Sequence, residues 1–378
     1  MKNILIIPSN FITQIDSRKI YKIKNIIKSF LALNYKNIIE AIYSHNLCAE
    51  NYHYEGFSEI KNLNISILGK YYKEYTLKNI PEFSRYPSLH NSQLKNFKSL
   101  KNVRDNIADF DCIIFGSRIS LSAYDLLKLA KQKNIPRVLI DHFDDQQIYF
   151  TKNYRSHIEK RFKFKIDFDL MFKHDVPLDC DLDYVHPICP MPIRYENYLL
   201  INPLKFDKKL DISFSGRVGH NNSNDRELLK KIIKNINKSS FREINYKEKV
   251  SLKSYLKNLS ESKICLSPYG KVWDSTRHSE LAVYNCLPVI PTPNCKLSDG
   301  INVNDQNSIN YKIEYNKYEK KFIIENPELL KDKINYYLKN NDILISHANN
   351  WRKMILTNNN FKARANFIFN KIKKFFNV

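Results

Sequence analysis

The stretch 262–292 (SKICLSPYGKVWDSTRHSELAVYNCLPVIPT) constrains most strongly what this chain can fold into. Its apolar run 264–266 predicts a buried strand, and a loop with one proline and one glycine follows. Asp274, Ser275 and Thr276 are good helix N-cap residues, so we expect a short helix over 277–284 and a second buried strand over 287–290. Strand, loop, helix and strand in this order are typical of a parallel α/β sheet.

The loop and the start of the helix would form a binding site for a phosphate group. Parallel sheets bind ligands beyond the carboxyl ends of their strands, and a helix N-terminus offers free N–H groups and partial positive charge. Lys271 and Arg277 add full positive charges, and an arginine can bind a diphosphate through two parallel hydrogen bonds. We therefore predict that Ser267, Tyr269 and Gly270, together with Lys271 and Arg277, bind the diphosphate of a nucleotide.

Glu280 follows Arg277 by three residues, so both side chains share one face of the predicted helix. A carboxylate one turn from a phosphate site can accept hydrogen bonds from sugar hydroxyls. The pocket therefore suits a nucleotide diphosphate that is joined to a sugar.

Three short segments carry a resemblance to a known family: 265–270 (CLSPYG), 277–280 (RHSE) and 285–290 (NCLPVI). Together they resemble the donor-site segment of exostosin-like glycosyltransferases and, more broadly, the C-terminal domain of GT-B glycosyltransferases. The resemblance is specific over about thirty residues. It implies an α/β GT-B fold, with two Rossmann-like doubly wound domains facing a cleft.

The resemblance also implies a reaction. The nucleotide sugar would be a substrate rather than a cofactor, and neither a metal ion nor a cofactor would be needed. Arg277 would contact the diphosphate, and Glu280 would contact the ribose or the donor sugar. Lys271, Val272 and Trp273 depart from the family, which often has small residues between the glycine and the arginine.

A second phosphate-approach loop follows the predicted strand 210–215 (LDISFS). Gly216 would let the backbone come close to a phosphate, and Arg217 would supply charge before a helix that begins near residue 224. The pattern is neither a Walker loop nor a dinucleotide fingerprint, and a surface salt bridge is an alternative role for Arg217. We expect Gly216 and Arg217 to lie beside the Arg277 site.

Residues 111–141 predict a βαβ unit, with strands at 111–117 and 137–141 and a helix at 121–133. Its tip carries His142, Asp144 and Asp145, which are candidates for the base that deprotonates an acceptor hydroxyl. Inversion at the anomeric carbon would favour Asp144 or Asp145, whereas retention would leave no obvious nucleophile. Alternatively, the acidic cluster caps the next helix and pairs with basic residues after it.

The length of 378 residues favours two domains. We expect an N-terminal Rossmann-like acceptor domain at 1–195 and a C-terminal nucleotide-sugar domain at 205–360, joined by a linker near 190–210. An amphipathic helix over 361–378 would end the chain. Packing on the N-terminal domain is the favoured role of this helix, and contact with a membrane surface is the alternative.

The net charge of +22 favours anionic partners such as nucleotides, nucleic acids and acidic lipids. We expect a nucleotide-sugar donor, a glycan or lipid-linked acceptor and a role in surface-glycan synthesis, with peripheral contact to an anionic membrane left open. One alternative is a transferase of similar shape that moves a polyol phosphate. Another is a basic nucleic-acid-binding protein, although no binding module is recognisable and specific nucleic-acid binding is not expected.

The seven cysteines are scattered without a C-x-x-C pair, which indicates reduced thiols rather than a disulfide framework or a zinc site. No apolar run approaches the roughly 18 residues of a membrane-spanning helix. The N-terminal apolar run 4–7 is too short for a signal peptide. These features predict a cytoplasmic protein.

Overall fold

Two parallel β-sheets organise the protein in the computed structural model, which describes residues 1–7, 56–68, 96–116, 121–141, 168–205, 207–216, 225–234, 236, 238–243, 250–270, 273, 275–316 and 321–377. The strands in chain order are β1 (Asn3–Ile7), β2 (Asn64–Leu68), β3 (Phe97–Lys98), β4 (Cys112–Gly116), β5 (Arg137–Asp141), β6 (Leu170–Lys173), β7 (Val176–Pro177), β8 (Val185–Pro187), β9 (Leu210–Gly216), β10 (Ser239–Glu243), β11 (Ser262–Leu266), β12 (Leu287–Pro291), β13 (Cys295–Lys296), β14 (Ile309–Tyr311), β15 (Ile313–Asn316) and β16 (Lys321–Ile324). The α-helices are α1 (Leu100–Asp105), α2 (Leu121–Gln132), α3 (Tyr195–Ile201), α4 (Asp225–Lys234), α5 (Leu252–Ser260), α6 (Thr276–Val283), α7 (Pro327–Lys339), α8 (Asn341–Asn358) and α9 (Phe361–Phe376).

The first sheet has seven parallel strands in the order β3-β2-β1-β4-β5-β6-β8. Helices cover both of its faces, and the central strands are therefore apolar without alternation. In β1, Leu5 and Ile7 face a cluster that includes α2, whereas Ile4 and Ile6 face the opposite cluster, which includes α9. The sheet thus has a core on each side.

The second sheet has five parallel strands in the order β10-β9-β11-β12-β14. From β9 the chain adds β10 on one side and then β11 on the other, so the winding reverses between β9 and β11. Ligands of open α/β sheets bind at such a switch point, outside the carboxyl ends of the strands. With two Rossmann-like doubly wound sheets, the predicted GT-B fold class is confirmed.

The C-terminal helix α9 returns the chain to the first sheet. Its residues Ala365, Ile368 and Ile372 are fully buried in the cluster that also holds Ile4 and Ile6 of β1. The apolar face read from the sequence is therefore the face that contacts the sheet.

Three helices were not anticipated from the sequence. Helix α1 precedes the predicted βαβ unit, α3 lies inside the segment expected to be a linker, and α8 directly precedes the predicted C-terminal helix at 361–378. A short antiparallel ladder of β7 and β13 also joins the two halves of the chain. Among the described residues, no helix combines the length and the apolar character needed to cross a membrane.

Candidate functional site

The candidate site lies at the switch point of the second sheet, where α6 places Arg277 at the end of β9. The Nη2 atom of Arg277 donates a hydrogen bond of 2.6 Å to the main-chain oxygen of Ser215. The guanidinium carbon lies 5.0 Å from the centre of the Phe214 ring and 6.0 Å from that of Tyr255. Aromatic faces attract cations, so these contacts hold the guanidinium beside the strand end.

The start of α6 follows the cap that the sequence predicted. Ser275 has extended backbone angles, and its hydroxyl accepts a hydrogen bond of 3.2 Å from the main-chain N–H of Arg277. This cap satisfies one of the N–H groups that a helix leaves free at its N-terminus, while the dipole keeps that end partially positive. The positive helix end and the guanidinium therefore act on the same region.

Gly216 allows the close approach of Arg277 to β9. A Cβ atom at this position would lie 2.6 Å from Cζ of Phe214 and 3.3 Å from Nη2 of Arg277. A side chain here would consequently displace the ring, the guanidinium or both. Arg217, the next predicted residue, lies outside the described residues.

The loop after β11 is fixed mainly through main-chain groups. The N–H of Tyr269 donates to Asp225 Oδ2 at 2.8 Å, and Arg226 Nη2 donates to the Tyr269 oxygen at 3.2 Å. The Tyr269 hydroxyl accepts a hydrogen bond of 3.2 Å from Asn294 Nδ2, and burial raises the pKa of Tyr269. Ser267 is buried as well, whereas Gly270 is partly exposed. Tyr269 and Ser267 thus support the loop from inside, and Lys271 lies outside the described residues.

Trp273 explains one departure from the resemblance. This side chain is 1% exposed, its Nε1 donates to the Pro291 oxygen at 2.7 Å, and its ring lies 4.4 Å from that of His278. The bulky residue therefore fills the core.

Glu280 is buried, with 6% of its surface exposed. Tyr198 donates to its Oε1 at 3.3 Å, and Tyr255 donates to its Oε2 at 2.6 Å. Burial raises the pKa of the Glu280 carboxyl, and burial likewise raises the pKa of Tyr255 well above its ordinary value. Both carboxylate oxygens therefore already have protein donors, so a sugar contact is not the role that this geometry favours.

In the first sheet, the predicted acceptor side begins after β5. Asp141, the last residue of β5, forms a buried ion pair of 3.0 Å with Lys173 of β6. Its carboxylate therefore neutralises a buried charge in the core. The candidate bases His142, Asp144 and Asp145 lie outside the described residues, and their role stays a prediction.

One group of potential metal ligands occurs among the described residues. The ligand atoms of Asp175, Cys189 and Cys295 lie within 4.8 Å of one another near the β7–β13 ladder. All three residues are buried and make other contacts as well. They lie at the junction of the two halves, and the prediction that no metal is needed stays a prediction.

The sequence reading missed four residues that shape this site: Phe214, Tyr255, Tyr198 and Asp225. Phe214 lies within the predicted strand 210–215, where an apolar residue is expected in the core. The proximity of Phe214 to Gly216 was the only local signal, because the other contacts join distant segments.

Comparisons with known proteins bear on the fold. No protein-family model and no curated protein sequence matches the chain, so the exostosin-like resemblance stays a prediction. A glycosyltransferase from Rickettsia africae ESF-5 has a similar structure, with 13% identity over 99% of this chain and 98% of that one and a TM-score of 0.51. This likeness supports the two-domain fold.

Two further structures are less similar. Sucrose-phosphate synthase from Thermosynechococcus elongatus matches over the whole of both chains at 10% identity, with a TM-score of 0.48. Staphylococcus aureus TarM matches 71% of this chain at 13% identity and a TM-score of 0.44, and the chain spans 55% of the TarM chain.

Proposed function

We propose that this protein is a glycosyltransferase that moves a sugar from a nucleotide-sugar donor to an acceptor hydroxyl. The observation that carries the proposal is the position of Arg277, whose guanidinium is held at the switch point between β9 and β11. A fixed cation beside a helix N-terminus is suited to the diphosphate of such a donor. The GT-B fold is consistent with this reaction class.

In this proposal, positive charge stabilises the leaving group. As the glycosidic bond breaks, negative charge develops on the nucleotide diphosphate, and groups that are strongest in the transition state accelerate the step. Arg277 and the start of α6 supply this charge, and Lys271 and Arg217 would add to it from the two flanking loops. With Arg277, the start of α6, Lys271 and Arg217 stabilising the leaving diphosphate, the proposed reaction requires no metal ion.

The acceptor would bind on the side of the first sheet, beyond the carboxyl ends of its strands. His142, Asp144 or Asp145 would then deprotonate the acceptor hydroxyl, since these residues follow β5. Asp141 is the less suitable base, because its carboxylate is already paired with Lys173. The proposed acceptor is a glycan or a lipid-linked sugar, and the net charge of +22 favours contact with an anionic surface.

A thermal-shift screen tests the proposal. Wild type and Arg277→Ala would be melted with UDP-, GDP-, CMP- and dTDP-sugars, with Arg104→Ala as a matched control because Arg104 forms an exposed ion pair in the first half of the chain. A donor at about a hundred times its dissociation constant adds about 2.7 kcal/mol of stability. We expect one nucleotide class to stabilise wild type and Arg104→Ala but not Arg277→Ala.

Other outcomes would contradict the proposal. No shift with any nucleotide sugar, in a protein that melts cooperatively, would exclude this donor class and direct the search to activated polyol phosphates. An equal shift in Arg277→Ala would show that the donor binds elsewhere.

A further inference from the structure

Arg277 belongs to a chain of contacts that runs from the proposed donor site into the core. The Tyr255 ring faces the Arg277 guanidinium at 6.0 Å, and its hydroxyl donates to Glu280 Oε2 at 2.6 Å. One side chain of α5 therefore touches both the cation and the carboxylate of α6. The positive charge of Arg277 in turn favours the ionised carboxyl of Glu280 through Coulomb attraction, against the burial that raises its pKa.

The other oxygen of Glu280 is fixed by Tyr198, a fully buried residue of α3. Tyr198 is itself held, because its main-chain oxygen accepts a hydrogen bond of 3.0 Å from the Tyr284 hydroxyl. Glu280 is thus anchored from two helices, and its carboxylate cannot turn without breaking a buried hydrogen bond. A buried acceptor that loses its donor is costly, which makes this arrangement rigid.

The surroundings of Glu280 are unlike those of a carboxylate that binds a sugar. A carboxylate that binds hydroxyls must present an oxygen to the ligand, whereas Glu280 is 6% exposed and both of its oxygens accept from tyrosines. The network ends at Arg277, which is partly exposed and whose guanidinium reaches the main chain of β9. What the network can influence is therefore the orientation of that cation.

We propose that Glu280, Tyr255 and Tyr198 are positioning residues that hold the Arg277 guanidinium at the end of β9, and that Glu280 acts on the diphosphate through Arg277 rather than on the sugar. This inference rests on the proposed function, since it concerns the same site. It assigns the affinity for the diphosphate to a network that reaches from the donor site to α3, the helix within the connection between the two sheets.

The test uses inorganic pyrophosphate, a probe that needs no knowledge of the base or the sugar. Its dissociation constant would be measured by calorimetry for wild type, Arg277→Ala, Tyr255→Phe and Glu280→Gln. Tyr337→Phe is the matched control, because it also removes the hydroxyl of a buried tyrosine, and that hydroxyl donates to the main-chain oxygen of Asp305, outside the network. The melting temperature of every variant without ligand would show how much the substitution destabilises the fold itself.

We expect Tyr255→Phe and Glu280→Gln each to weaken pyrophosphate binding about fivefold, the factor equivalent to one hydrogen bond. Tyr337→Phe should lower the melting temperature to a similar extent and leave the dissociation constant unchanged. Tyr255→Leu, which also removes the ring facing the guanidinium, should weaken binding further than Tyr255→Phe.

The experiment distinguishes failure of the donor site from failure of the positioning role. If wild type does not bind pyrophosphate, or Arg277→Ala binds it equally well, the donor site itself is wrong and the network has nothing to position. If Arg277→Ala loses binding while Tyr255→Phe and Glu280→Gln behave like Tyr337→Phe, only the positioning role is overturned. If Glu280→Gln weakens binding of a nucleotide sugar from the screen but not of pyrophosphate, Glu280 contacts the sugar and the inference fails.

Discussion

The Arg277 guanidinium donates a hydrogen bond of 2.6 Å to the main-chain oxygen of Ser215, a residue 62 positions earlier in the chain. This bond ties the helix after β11 to the carboxyl end of β9. Because the winding of the sheet reverses between these two strands, the bond places the cation where a ligand would bind. The predictions below test this arrangement and the packing that supports it.

Gly216→Ala should disturb the site directly. The new methyl group would lie 2.6 Å from the Phe214 ring and 3.3 Å from the Arg277 guanidinium, so one of them must move. We expect pyrophosphate affinity to fall about tenfold, which corresponds to about 1.4 kcal/mol. Calorimetry would measure it, with Gly300→Ala as the control, because that glycine has a φ of +79° and also resists a side chain but contacts Asn358. Equal affinities for the two variants would contradict the prediction.

Asp141→Asn should destabilise the protein rather than act on catalysis. The substitution leaves the Lys173 ammonium in the core without its carboxylate, and breaking a buried pair in this way costs about 3–5 kcal/mol. Urea unfolding would measure the loss. Asp125→Asn, which breaks an exposed pair with Arg104, should cost about 0–1 kcal/mol. A stable Asp141→Asn protein that lacks transferase activity would instead identify Asp141 as a catalytic group.

Ile368→Ala should show how much the C-terminal helix contributes to the first sheet. Ile368 is fully buried against the strands, and removing most of a core side chain costs about 2–5 kcal/mol. Phe375 of the same helix is 40% exposed, and Phe375→Ser should therefore have a much smaller effect on the free energy of unfolding. Similar unfolding midpoints for the two variants would mean that burial of this face of α9 does not stabilise the protein.

Asp111→Asn should change the acid sensitivity of folding. The pKa of Asp111 lies below its ordinary value of 3.8, mainly because the main-chain N–H groups of Asn3 and Lys2 donate to it. A depressed pKa gives stability that is fully present above the unfolded-state value and is lost as the pH falls through the folded-state value. We expect Asp111→Asn to cost about 1 kcal/mol at neutral pH, since the group is largely exposed. Urea unfolding at several pH values should show the difference from wild type shrinking as the pH falls below the ordinary pKa and vanishing below the lowered folded-state pKa.

Local patterns were sufficient for most of the regular elements. The predicted strand 137–141 matches the structure residue for residue, because its apolar residues Val138, Leu139 and Ile140 form a short run bounded by polar residues. Helix α8 escaped notice although Leu344, Ala348, Trp351 and Ile355 are buried at helical spacing. Asparagine, serine and threonine around them have low helix propensity, and packing against the second sheet overrides it.

The sequence by itself determined the alternation of strands and helices, the cap at Ser275 and the presence of a cation one residue into α6. These features depend on neighbours within one or two turns, so they can be read from adjacent letters. Only the tertiary structure decided that Arg277 meets Ser215 and that Glu280 meets two tyrosines, one of them 82 residues away. Such contacts follow from strand order and helix packing, and burial then converts a carboxylate that looked available to a ligand into part of the core.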